Sequence, residues 1–266
     1  MRDQLESIEQ GSRQLDTDPT QKAREQMRRP LPKRFYKEVT VEEADDVSAY
    51  AILLDGRTVK TPGRKVLAFP TRALAELIAA EFASQKDVLD PAAMPAFRLA
   101  NSAVEAVADN AEAVAGDLVR FAGSDLLCYR AEGPAGLVAN QQEKWDPLLA
   151  WICEETGGAF ITTGGIVYAE QPEEALAGFA RYVGRYRDAF QLAAMHSMTT
   201  LTGSVFLAVA VAEGRITPED AWTAAHVDED WNIAQWGEDF EAKRMREARW
   251  TEMKAAAELF HAVRAS

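Results

Sequence analysis

At Thr71 the apolar pattern of the chain changes period. Upstream, apolar residues alternate with polar ones or gather in short runs, as in strands. Downstream they recur at the three-and-four spacing of helices. Before the change, Phe35, Lys37, Val39 and Val41 suggest a strand entering a sheet, and Tyr50–Leu54 a second one. Asp55-Gly56 separates that run from 57–61. An Asp-Gly pair between apolar runs marks a tight hairpin, because both central residues of the turn need positive φ. Thr61-Pro62-Gly63 reads as the next turn and 66–69 as the next strand.

After the change, Thr71 is placed to cap a helix carrying Leu74, Leu77, Ile78 and Phe82. Asp90-Pro91 and Met94-Pro95 interrupt the pattern, and helices are expected over 97–107 and 111–121. Gly123-Ser124-Asp125 stops the second of these, 126–130 looks extended, and Gly133-Pro134 reads as a loop. Long helices follow over 137–155, 173–190 and 192–213, with a connector at 160–167 that suggests a strand pair around Gly164-Gly165. Thr217-Pro218-Glu219-Asp220 has the form of a capping box with proline at the first helical position. A last helix runs through Trp250 and Phe260.

The expected fold class is therefore α+β, with a small N-terminal antiparallel β domain followed by a larger α-helical domain. Residues 1–30 are expected to be a polar, partly disordered extension, 31–130 an N-terminal domain of β-hairpins and flanking helices, and 131–266 an α-helical domain.

Charge narrows the function. Asp and Glu number 42 against 29 Lys and Arg, a net charge of −13. Nucleic acid and anionic membrane both require a basic face, so neither is expected as a partner. The first thirty residues hold six basic and six acidic side chains, which leaves the whole surplus to the remainder. Cys128 and Cys153 make no CxxC and have no histidine at zinc-ligand spacing, so both read as buried thiols in a reducing compartment. No apolar run reaches membrane-spanning length, and no signal or transit peptide is evident. The expected location is the bacterial cytoplasm.

Much of the surplus gathers at 227–241, VDEDWNIAQWGEDFE. Six carboxylates, Asp228, Glu229, Asp230, Glu238, Asp239 and Glu241, surround Trp231 and Trp236, with no Lys or Arg before Lys243. Acidic tails lack large aromatics. Apolar anchors inside a negative field suit docking onto a protein surface that carries arginine or lysine. The structural alternative is a continuous helix, with Val227, Trp231 and Ala234 on one core-facing stripe and Ile233, Trp236 and Phe240 on its neighbour. In that reading Glu241 pairs with Arg244, and Asp239 with Lys243.

Signatures of catalysis are missing. There is no phosphate-binding GxxxxGK[ST], no GxGxxG after a strand, and no HExxH. The acids of 228–241 lack the glycine turn of a calcium loop, so no metal and no cofactor are expected. Asp125 stands between a helix end and an apolar run, with Arg130 and Arg98 as candidate partners. One enzyme reading is available: a small-molecule cleft built on His196, Asp125 and Tyr129.

Several motifs together resemble the assembly chaperones for the α subunit of the F1 sector of F-type ATP synthase, a family found in mitochondria and α-proteobacteria. They are Arg34-Phe35-Tyr36, Leu54-Asp55-Gly56-Arg57 with Thr61-Pro62, and Ala80-Glu81-Phe82 with Gln85. Met94-Pro95 with Arg98-Leu99-Ala100-Asn101, and Asp125-Leu126-Leu127-Cys128-Tyr129-Arg130, come next. Gln142 with Trp145-Asp146-Pro147, and Trp236-Gly237-Glu238-Asp239 with Glu241-Ala242, complete the set. The chain departs from the family pattern at Phe82, where Trp is usual, at Phe97, where Thr is usual, and at Asn232, where Gln is usual.

The resemblance implies a non-enzymatic chaperone that binds free α subunit, prevents its aggregation and hands it on for assembly with β. It implies Glu229, Trp231, Trp236, Glu238, Asp239 and Glu241 as the partner-binding residues. It also implies a chain that is monomeric when free, in the bacterial cytoplasm or, for eukaryotic relatives, the mitochondrial matrix.

Overall fold

The computed structural model describes residues 31–44, 49–165 and 167–265. The extension expected over 1–30 lies outside the described residues. Two compact units are present. The smaller joins 31–35 to Gln85–Asp90. Inside it, Lys33 forms an antiparallel bridge with Val88, and Arg34 N donates to Asp87 O at 2.9 Å. The larger unit comprises Tyr36–Ser84 and Pro91–Ser266 and holds every element named below.

Its sheet is antiparallel. β2 (Tyr50–Leu54) pairs with β1 (Val39–Glu43) along one edge; β3 (Arg57–Thr58) and β4 (Ala68–Phe69) share the other. Asp55 at φ 48° and Gly56 at φ 76° make the hairpin turn that the Asp-Gly pair requires. The Asp55 carboxylate also accepts from Lys37 N at 3.0 Å and Glu38 N at 2.8 Å, tying down the entry to β1. β1 starts later than the sequence suggests. Phe35 is 69% exposed, while Tyr36 is buried and donates its hydroxyl to Phe82 O at 2.8 Å.

α1 (Arg72–Ser84) packs its Leu74 and Ile78 face toward the sheet, whose Ile52 and Phe69 are fully buried. Thr71 caps it, accepting from Leu74 N at 3.2 Å. Glu81 of α1 caps α2 (Pro95–Ser102), accepting from Ala96 N at 2.8 Å and Phe97 N at 2.7 Å. A five-residue π turn at Ala103–Val107 continues α2 before α3 (Ala111–Ala122).

Residues 126–130 are only partly extended. Leu126–Cys128 form a 3₁₀ turn, and Tyr129–Arg130 is a two-residue strand, β5. β5 pairs in parallel with β6 (Thr163–Gly164), so the glycines near 164 do not form a hairpin of their own.

Beyond lie α4 (Ala135–Thr156), α5 (Glu173–Val183), α6 (Ala189–Thr202) and α7 (Val205–Ala212). The spacing predicts unbroken helices over 173–190 and 192–213, and the structure divides both. Asp188 caps a new helix, accepting from Phe190 N at 2.9 Å, and Gly203 at φ 72° with Ser204 ends α6 and starts α7. All eight residues of α7 are buried. Phe206 meets Phe160 and Phe179 with ring centroids 4.6 and 5.4 Å away, which places α7 in the middle of the helical core. α8 (Pro218–Ala225) begins with the expected capping box. α9 (Val227–Trp236) and α10 (Phe240–Arg264) complete the chain, and α10 packs along α6.

Candidate partner-docking site

The acidic stretch folds as the whole of α9, a three-residue break, and the first turn of α10. α9 starts at His226, which is 8% exposed and lies against the Trp222 ring at 4.1 Å. Its Nδ1 is 2.7 Å from Trp222 O. Burial, above all, holds the imidazole pKa below its usual value, so its 3.8 Å approach to Glu229 is not an ion pair at neutral pH.

Three contacts fasten α9. Gln141 of α4, itself buried, donates to Asp228 Oδ1 at 2.6 Å and accepts from Ala131 N at 2.8 Å. Arg246 of α10 pairs with Asp230. The Trp231 ring rests on Gly136 of α4, where an added Cβ would stand 2.5 Å from Cη2. Trp231 thus uses much of its indole inside the molecule.

The far end of α9 differs. Gly237 has φ 88°, a backbone state that any side chain would strain, and the helix stops there. Asp239 caps α10, accepting from Ala242 N at 2.8 Å. The break cancels the continuous stripe expected from periodicity: Trp236 is 87% exposed, Phe240 71% and Met245 66%. The expected Asp239–Lys243 pair is replaced by Glu238–Lys243, at 2.8 Å.

Glu229, Trp236, Glu238 and Asp239 line one cleft of about 410 Å³ with Ile233. Trp231 and Glu241 are not among its lining residues. A neighbouring cleft of about 360 Å³ is lined in part by Trp222 and Trp250, whose ring centroids are 5.5 Å apart. Phe240 and Met245 are additions to the residues marked by sequence. The glycine at 237 is the signal that releases them from the core.

Of the residues of the enzyme reading, Asp125 caps a helix, His196 lies on α6 and Tyr129 on β5. Asp125 is fully buried and joins neither Arg130 nor Arg98. Its carboxylate accepts from Leu127 N at 3.0 Å, Ser204 Oγ at 2.8 Å and Phe206 N at 3.1 Å, so it caps α7 from a distance in sequence. Arg130 instead pairs with Asp146 at 2.6 Å and stacks over Trp145, while Arg98 pairs with Glu252. His196 meets the Phe121 ring edge-on at 6.2 Å. Among the described residues, no group of three or more His, Cys, Asp or Glu is placed to hold a metal, and no helix is long and apolar enough to cross a membrane.

A family model described as ATP12 chaperone protein matches residues 33–153. The crystal structure of Atu1473, a chaperone candidate from Agrobacterium tumefaciens, superposes with a TM-score of 0.85 at 46% identity, covering 93% of this chain and 92% of that one. Atp12 from Paracoccus denitrificans superposes at 0.81 with 38% identity over 87% of this chain and 98% of its own. The chain belongs to the ATP12 chaperone family. An aspartate-to-lysine mutant of the Paracoccus protein gives 0.80 with 37% identity. Family membership supports a role in ATP synthase assembly. The span matched by the ATP12 model contains Glu81, Asp125 and Trp145, all with structural duties; Trp145 donates its indole N–H to Ala224 O at 2.7 Å. The 227–241 stretch lies beyond that span.

Proposed function

We propose that this ATP12-family chain captures the free α subunit of the F1 sector of ATP synthase, covers the surface that α later offers to β, and gives way when β arrives. The docking face is the end of α9 and the start of α10, with Trp236, Phe240 and Met245 as apolar anchors and Glu229, Glu238, Asp239 and Glu241 as the negative field. Trp231 positions α9 beneath it. The observation that carries this reading is Trp236, left 87% in water at the rim of an acidic cleft. Large apolar groups gathered at a surface mark interaction sites. Tryptophan is prominent among the residues that dominate binding energy. Carboxylates around it select a partner carrying arginine or lysine and speed encounter.

Release needs no nucleotide hydrolysis. The native α–β contact displaces the chaperone by mass action when it is the tighter one. The free chaperone is a monomer of the bacterial cytoplasm, and its net charge of −13 keeps copies apart.

The test is co-expression of α subunit alone with the wild type or with Trp236→Ser/Phe240→Ser, followed by solubility and pull-down. Wild type keeps α soluble. The double variant, folded by circular dichroism, loses roughly tenfold or more in affinity, as removal of central aromatic anchors does. Equal capture by the variant moves the docking face elsewhere, and no capture by the wild type removes the α subunit as partner.

A further inference from the structure

The two clefts at the acidic end share part of their lining. Glu238, Lys243 and Arg246 line both, and the Lys243 ammonium is 2.8 Å from Glu238. Arg246 is held away from this role by Asp230. Lys243 reaches from α10 to Glu238 in the break that precedes it, on the lining common to both clefts. Taken together as one trough, the clefts hold Ile233 and Trp236 in one part and Trp222 and Trp250 in the other.

Charge complementarity names the occupant. Glu229, Glu238, Asp239, Glu219 and Glu247 line the two clefts against only Lys243 and Arg246 as cations. Both of those cations already have a carboxylate, and one of those carboxylates, on Asp230, lies outside the lining. The trough is left with acids to spare beside indole faces. That combination takes a guanidinium or ammonium on an apolar-flanked segment, since both ring faces and carboxylates attract a cation.

We propose that Lys243 is a built-in stand-in for such a cation. In the free chaperone it occupies the Glu238 carboxylate and divides the trough. On docking, an arginine of the α subunit takes Glu238, Lys243 swings out, and the two clefts become one. The pair is suited to displacement: Lys243 and Glu238 are 49% and 40% exposed, and ion pairs so exposed are weakly held. An incoming guanidinium binds a carboxylate by two parallel hydrogen bonds, which an ammonium cannot match.

This inference rests on the α-subunit reading above and is tested so that the two fail separately. Purified α subunit is titrated with wild type, Lys243→Met, Glu238→Gln and Arg244→Met, and thermal unfolding of each is recorded. Arg244→Met makes the same charge change as Lys243→Met without touching either cleft's lining. The expected result is a dissociation constant lowered about twofold to fivefold in Lys243→Met beyond any change in Arg244→Met, the range set by the modest strength of exposed ion pairs. Glu238→Gln weakens binding, although it too breaks the pair. The proposal is overturned if Lys243→Met binds no better than Arg244→Met, or if Glu238→Gln binds as tightly as Lys243→Met. If wild type itself shows no binding, it is the α-subunit reading that falls.

Discussion

The rings of Phe82 and Phe97 meet edge to face, with centroids 4.8 Å apart and planes at 68°. These are two of the three positions at which the resemblance leads one to expect another residue, Trp at 82 and Thr at 97. The departures are therefore neighbours. Phe instead of the expected Trp on α1 faces Phe instead of the expected Thr on α2, so the volume given up at one position is taken at the other. Glu81 holds the two helices in register beside them by capping α2.

Exchange of either ring alone should be costly. Phe97→Thr opens a partial cavity and loses an aromatic contact, an expected destabilisation of about 2–3 kcal/mol. Phe82→Trp overpacks the same space, at about 1–3 kcal/mol. Made together, they should restore about 1 kcal/mol or more relative to the sum, a coupling of the size found for residues in contact. Urea denaturation of the three variants measures it.

Gly136 and Trp231 form a second coupled pair. Gly136→Ala drives a methyl into the indole and should destabilise the chain by about 1–3 kcal/mol. Trp231→Phe in the same background should recover part of that loss. The sensitive readout is tryptophan fluorescence together with α-subunit capture, because the methyl dislodges the helix that ends at Trp236.

Asp125 gives a pH dependence of defined sign. Burial pushes its carboxyl from the ordinary 3.8 up to about 6, although the Leu127, Ser204 and Phe206 donors pull it down. Between those two values the folded chain keeps the proton and the unfolded chain releases it. The contribution of this group to stability therefore declines as pH rises from about 4 to about 6 and is level above. Asp125→Asn has no proton to lose. The stability of the wild type relative to the variant should fall by roughly 2–3 kcal/mol across that window, from the free-energy equivalent of the shift. Denaturation at several pH values reads the slope. An absolute offset is also expected, since an amide N–H₂ cannot accept from both sets of donors.

Asp239 and Glu241 separate folding from binding. Asp239→Lys removes the cap of α10 and should cost about 1 kcal/mol of stability as well as weakening capture of α subunit. Glu241, exposed in the first turn, should report binding alone: Glu241→Lys leaves the unfolding midpoint within about 2 °C, as surface substitutions do, and lowers capture. Calorimetry and pull-down on the same preparations decide each half.

Local chemistry made part of this fold readable. The Asp55-Gly56 hairpin and the Thr217–Asp220 box involve residues at most three apart, so their geometry is written in adjacent letters. Helix ends set by distant partners were not readable in this way. Periodicity continues smoothly through Gly203-Ser204, and the break there depends on a carboxylate 79 residues earlier. The same holds for Asp125, whose sequence neighbours suggest an arginine while its donors are Ser204 and Phe206. At the candidate site, composition pointed to a stretch that does expose aromatics among acids, and helical spacing put Trp231 on the inner stripe but also expected Trp236 and Phe240 to be covered. Trp231 turned inward against Gly136, and Trp236 and Phe240 turned outward. Gly237 interrupts the helix between Trp236 and Phe240, and a period of 3.6 carries no information about a residue that interrupts it.

The buried cap on α7 has a consequence for synthesis. Val205–Ala212 is the most water-averse segment of the chain, and nothing on its own surface can keep it in solution. Its amide groups are received by Asp125, which leaves the ribosome 79 residues before Ser204 does. By the time this segment emerges, the carboxylate that receives it has been made, while α8 and α10, which also pack on it, have not, so its most water-averse face is covered in full only once the rest of the chain has followed.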